Sequence, residues 1–86
     1  MRILIAEDDF TSRTLLGAIL KKNGHEVTAT VNGAEAWAAL QQPDAPHLAI
    51  LDWMMPEMDG PEVVRRIRAL QTDRPLYIIM LTTKGE

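Results

Sequence analysis

With 86 residues, 47% of them hydrophobic and 24% charged, the chain has the make-up of one globular domain with a small core, which excludes disorder and a second domain. No apolar run approaches the ~20 residues of a membrane span, acid arrives at Glu7 before a signal-peptide core could form, and there is no cysteine for disulfide or thiol chemistry, so the expected location is cytoplasmic. A net charge of −3 offers no electrostatic footprint for nucleic acid.

Ile3-Leu4-Ile5-Ala6 is a short continuous apolar run, predicted as a buried strand, and it ends in three acids, Glu7-Asp8-Asp9. Thr11 to Asn23 reads as a helix: Leu15, Leu16, Ile19 and Leu20 share one face, Lys21-Lys22 suit the last turn, and Asn23-Gly24 is a stop. Thr11 or Ser12 is the expected cap. Glu26 to Val31 alternates polar and apolar, the pattern of a strand with one wetter face at a sheet edge. Asn32-Gly33 turns the chain into an Ala-rich helix over 34–42, which Pro43-Asp44-Ala45-Pro46 ends.

Leu48-Ala49-Ile50-Leu51 is the next buried strand, and it runs straight into Asp52. The turn-rich stretch Trp53 to Gly60 follows. Pro61 suits the first turn of a third helix, whose buried stripe is Val63, Val64, Ile67 and Leu70. Arg65, Arg66 and Arg68 fall on its solvated side. Trp37 and Tyr77 are expected to pack, and His25 and His47 to lie at the surface. Leu76 to Leu81 is a fourth strand, apolar on both faces, and it ends in Thr82-Thr83. As the last element it would leave a bare edge, which invites self-association by strand pairing.

The order β-α-β-α-β-α-β indicates a parallel sheet with right-handed crossovers. Parallel strands bring Glu7-Asp8-Asp9, Asp52 and Thr82-Thr83 to one rim, outside the carboxyl ends of the strands, where open α/β sheets place their chemistry. Carboxylates gathered there either raise a pKa or recruit a cation, and Mg²⁺ suits one or two carboxylates plus phosphate oxygens. A carboxylate at such a rim can also be a nucleophile that forms an aspartyl-phosphate, and a hydroxyl at the third strand end can hydrogen-bond its phosphoryl group. Two other enzyme classes fit poorly. A haloacid-dehalogenase-like phosphatase carries a second Asp two residues after its nucleophile, where this chain has Met54. A dinucleotide-binding fold needs a Gly-rich turn after its first strand, where this chain has Glu7-Asp8-Asp9.

Taken together, Ile3 to Asp9, Arg13, Asn32-Gly33, Leu51-Asp52-Trp53-Met54-Met55-Pro56 with Asp59-Gly60, and Ile78 to Lys84 resemble a response-regulator receiver domain of two-component signalling, along the whole chain. The resemblance implies a flavodoxin-like (CheY-like), doubly wound α/β fold with strand order 2-1-3-4. It also implies a fifth strand, a required lysine at that strand's end and further helices, none of which the 86 residues include. Lys84 does not take the lysine's place. Without the last helix, an apolar patch should be exposed beside the first one. For function the resemblance implies a phosphoacceptor rather than a turnover enzyme. Asp52 would take a phosphoryl group from a sensor histidine kinase or phosphotransfer protein. Mg²⁺ would be held by Asp8, Asp52 and the Met54 backbone carbonyl, with Glu7 acting through water, and Thr82 would be the switch hydroxyl. The alternative is a truncated or non-phosphorylated interaction module on the same scaffold.

Overall fold

In the computed structural model, residues 1–70 and 73–81 are described. The chain runs β1 (Arg2–Ala6), α1 (Phe10–Lys22), β2 (Glu26–Thr30), α2 (Gly33–Leu40), β3 (Leu48–Asp52), α3 (Gly60–Ala69) and β4 (Tyr77–Leu81). All four strands are parallel, in the order β2-β1-β3-β4 that the resemblance implies. The chain steps outward from β1 to β2, then returns to the far side of β1 with β3. That reversal makes the crevice between the carboxyl ends of β1 and β3 a topological switch point.

Alternation along the strands sends side chains to two unequal layers. On one face Leu4, Ala6, Ala49 and Leu51 pack with Ala36 and Leu40 of α2 and Val63 and Ile67 of α3. Leu4, Leu51 and Val63 are fully buried there, each contributing about 1.5–3 kcal/mol by leaving water. On the other face Ile3, Ile5 and Ile50 meet Leu16 and Leu20 of α1. This layer is thinner than the sequence pattern suggests. Leu15 and Ile19, assigned above to the buried stripe, are exposed, and so is Tyr77, which was expected to pack. Ile78 and Met80 point into the α2/α3 layer. Tyr77, Ile79 and Leu81 therefore lie on α1's side of β4, where they are exposed. α1 packs on β1 and β2, so an apolar surface beyond it stays open, as expected beside the first helix.

Each helix starts on a side-chain cap. Asp59 accepts from Glu62 N (2.9 Å) at α3, and Asn32 accepts from Glu35 N (2.8 Å) at α2. At α1 the cap is Asp9, which accepts from Ser12 N at 2.7 Å, and not Thr11 or Ser12. The chain leaves β1 so abruptly that the last of the three acids, still extended at φ −79°, already stands at the helix mouth. α1 ends in a Schellman motif: Gly24 N donates to Lys21 O (3.0 Å) and His25 N to Leu20 O (3.1 Å), with Gly24 at φ 87°. Among the described residues no helix is long and apolar enough to cross a membrane.

Candidate functional site: a carboxylate cluster at the switch point

Two strand ends meet in the crevice. β1 delivers Glu7 and Asp8, and β3 delivers Asp52. Glu7 and Asp52 are buried, at 6% and 4% exposure, while Asp8 is open to solvent. One carboxylate oxygen from each of the three lies within 4.8 Å of the others. Like charges this close repel. Burial pushes the Glu7 carboxyl above its usual range, and the charge of Asp52, a side-chain hydrogen bond with it and the charge of Asp8 add to that, against a lowering hydrogen bond from the Asp9 backbone. That bond, Asp9 N to Glu7 Oε2 at 3.0 Å, occupies one Glu7 oxygen.

Asp52 differs from its neighbours in one respect. Its Oδ1 is buried and has no hydrogen-bond partner among the described residues. Buried polar atoms in native folds are nearly all paired, so a buried carboxylate oxygen without a partner beside two further acids suits a cation. Three carboxylate oxygens with ligand spacing are the donor set of a hard divalent cation. The residues present therefore fit the Mg²⁺ expected from sequence, with Glu7, Asp8 and Asp52 placed to hold it.

The surrounding loops form an open cavity of about 570 Å³ above these acids, walled on the β3 side by Trp53, Met54 and Pro56. The 53–59 loop is anchored by two methionines. Met55 and Met58 pack into the α2/α3 core, while Trp53 and Met54 are half exposed. Its ends are tied by Trp53 N to Leu81 O (2.8 Å) and Gly60 N to Trp53 O (2.9 Å). In the middle, Met58 N donates to Pro56 O at 2.8 Å across Glu57, whose φ is 72°. An i→i+2 bond around a left-handed non-glycine residue is the rare, strained kind of γ-turn, of the sort that persists where the surroundings over-determine it.

The structure thus brings Glu7, Asp8, Asp52 and Met54 to one cavity. Thr82 and Lys84 lie outside the described residues. Asp9 borders the same cavity, but its carboxylate is committed to the α1 cap, which agrees with its omission from the expected ligands. One contributor has a role that sequence reading did not assign. Arg13 reaches back from α1 to donate to the backbone carbonyls of Glu7 (2.9 Å) and Asp8 (3.3 Å), with its guanidinium 5.6 Å from the Phe10 ring centroid. It fixes the acidic turn while leaving the carboxylates unneutralised. Its place early in the helix that follows the acids was visible in sequence, but a bond to carbonyl oxygens leaves no trace in side-chain pattern.

Comparison with known proteins agrees with this geometry. The model of the response regulator receiver domain matches residues 3–86. A chemotaxis protein CheY homolog of Campylobacter jejuni is 37% identical over 86 residues, which is 99% of this chain and 66% of that protein. Among solved structures, the response regulator TrrA of Thermotoga maritima, in complex with Mg²⁺-BeF, superposes with a TM-score of 0.86 at 36% identity, covering 98% of this chain and 70% of that one. The receiver domain of Saccharomyces cerevisiae Ssk1, in its co-crystal with the histidine phosphotransfer protein Ypd1, superposes at 0.88 with 25% identity, covering 100% and 66%. The chain spans about two thirds of the length of each of these three proteins. Its fold, strand order and acidic crevice are those of a receiver domain, and the chain belongs to the response regulator receiver domain family of two-component signalling.

Proposed function

We propose that Asp52 accepts a phosphoryl group from a phosphohistidine donor, in a reaction that requires Mg²⁺. The observation that carries this reading is the buried Asp52 carboxylate, one oxygen of which has no partner among the described residues, close to two further carboxylates. One Asp52 oxygen attacks phosphorus, the P–N bond to the donor imidazole breaks, and the imidazole keeps the bonding pair and takes a proton. The chemistry supplied by a divalent cation here is neutralisation of the phosphoryl oxygens and orientation for in-line displacement. Asp8, Asp52 and the Met54 carbonyl would hold it directly, with Glu7 acting through water. Thr82 would receive the phosphoryl oxygens. The protein acts as a regulatory phosphoacceptor and not as a turnover enzyme. Its partner is a sensor histidine kinase or phosphotransfer protein, and its compartment is the cytoplasm.

Nucleic acid is an unsuitable partner for this portion. Arg65 and Arg66 both bond Glu62, and Arg68 donates to Leu76 O, so the basic face of α3 is largely engaged within the chain. The open α1-side surface and edge of β4 support self-association of the 86-residue chain. Sedimentation should show a concentration-dependent dimer that Ile79→Lys abolishes; a monomer at all concentrations contradicts it.

The decisive test is labelling of a full-length form, with the fifth strand and its lysine, by phosphoramidate, a small P–N donor, and Mg²⁺. The expected outcome is one phosphoryl group per chain, lost with chelator and lost in Asp52→Asn. Label that survives Asp52→Asn would refute the assignment.

A further inference from the structure

The contact that sets the height of the 53–59 loop comes from the far side of the α2/α3 layer. Gly33, the first residue of α2, lies against the backbone of Met58. A Cβ built on Gly33 would overlap the Met58 carbonyl oxygen and stand 2.6 Å from its carbonyl carbon and 2.9 Å from its Cβ. Its φ is not in the left-handed region, so the backbone at Gly33 would accept any residue. Only the approach of the loop forbids a side chain. The loop's other end shows the same economy of space: a Cβ on Gly60 would stand 2.6 Å from the carbonyl oxygen of Asp52.

If a side chain were added at Gly33, one of the two partners would have to move. The start of α2 is held at three points. Asn32 caps Glu35 N, Glu35 accepts in return from Val31 N at 3.1 Å, and Ala36 is wholly buried in the core. The loop is tied at its ends by Trp53 N to Leu81 O and Gly60 N to Trp53 O, and between them it rests on two methionine side chains and a strained turn with Glu57 at φ 72°. Its middle has fewer ties than the start of α2, and the loop carries Met54.

We infer that Gly33 is a positioning residue: by lacking a side chain it lets α2 seat the Met58 carbonyl, holds the γ-turn closed, and so fixes the Met54 side of the carboxylate cavity. The part of this that concerns the cation rests on the function proposed above.

Two readouts separate them. Without metal, hydrogen exchange of the Met58 amide reports the Met58 N to Pro56 O bond. With metal, the Mg²⁺ midpoint read from Trp53 fluorescence reports the cavity. Gly33→Ala should speed Met58 exchange roughly tenfold and weaken Mg²⁺ binding roughly tenfold. Leu16→Ala, which loses packing on the opposite face, should match its loss of stability and change neither local exchange nor the midpoint. Should Gly33→Ala fail to fold, Asn32→Ala loosens the same helix start without adding an atom and should shift both readouts the same way by less. Folded Gly33→Ala with Met58 exchange and Mg²⁺ midpoint both like the parent's would overturn the inference, as would Asn32→Ala without effect if it is the only variant that folds. A parent chain that ignores Mg²⁺ would refute the cation reading, and the exchange arm alone would then decide the role of Gly33.

Discussion

The two ends of the sheet handle polar groups in opposite ways. At the amino ends of β3 and β4, Arg74 donates to the carbonyls of Gln42 (3.3 Å), Pro43 (2.8 Å) and Ala45 (2.6 Å), and His47 Nδ1 bonds Pro75 O at 2.8 Å with Nε2 3.3 Å from Arg74. One cation there gathers three carbonyls of the turn that follows α2. At the carboxyl ends, three carboxylates crowd together, and a buried Asp52 oxygen has no partner among the described residues. Both ends are rich in polar atoms, but one set closes on itself and the other faces outward. A fold gains stability from the first arrangement and gives it up for the second.

The contrast can be broken by exchanging the consequences of mutation at the two ends. The largest effect belongs to the carboxylates. Asp8→Ala should abolish the Mg²⁺-dependent change in Trp53 fluorescence, because Asp8 is the carboxylate that meets the cation from solvent, while thermal stability without metal holds or rises as repulsion falls. A full response in Asp8→Ala would mean that the cluster does not bind the cation. Next in size is Arg74→Ala, which removes charge-assisted bonds from three carbonyls and should cost about 2 kcal/mol in urea unfolding. Its Mg²⁺ midpoint should match the parent's. If Arg74→Ala instead weakened the metal site at unchanged stability, the division of labour between the ends would be wrong.

Much of that division is legible in the amino-acid order alone. Strand ends announce themselves when apolar runs stop at charge, as Ala6-Glu7 and Leu51-Asp52 do, and parallel order then places them on one rim. The basic face of α3 is legible for the same reason, since periodicity separates Arg65 and Arg66 from Val63 and Ile67. What escapes is set by distance in sequence or by what a helix covers. Leu15 and Ile19 have the right spacing for a buried stripe, but α1 lies over β1 and β2, so only Leu16 and Leu20 find a partner layer. The Arg13 clamp and the Arg74 clamp both act on carbonyl oxygens, which every residue has and no pattern distinguishes. The seat of Gly33 on Met58 joins residues far apart in the chain, and an Asn-Gly pair before a helix reads as a turn whether or not anything presses on it.

The smallest effect belongs to an acid outside both clusters. Glu62, on the exposed face of α3, accepts from both Arg65 and Arg66, and their hydrogen bonds and charges pull its carboxyl down from 4.5 to about 2. Glu7 moves the other way because burial and acidic neighbours oppose its charge. The two glutamates therefore show the same contrast as the ends of the sheet, an ion satisfied within the chain against one that is not. Because the folded value of Glu62 lies below the unfolded one, its pairs add stability that is fully present above pH 4.5 and is lost as pH falls towards about 2. Both partners stand in water, so the contribution is small and screened by salt. Glu62→Gln should lower the urea midpoint slightly at neutral pH, by less in high salt, and the gap from the parent should close on acidification. A gap that stayed constant from neutral pH down to pH 2 would mean that Glu62 acts through its cap-side position on α3 and not through its charge.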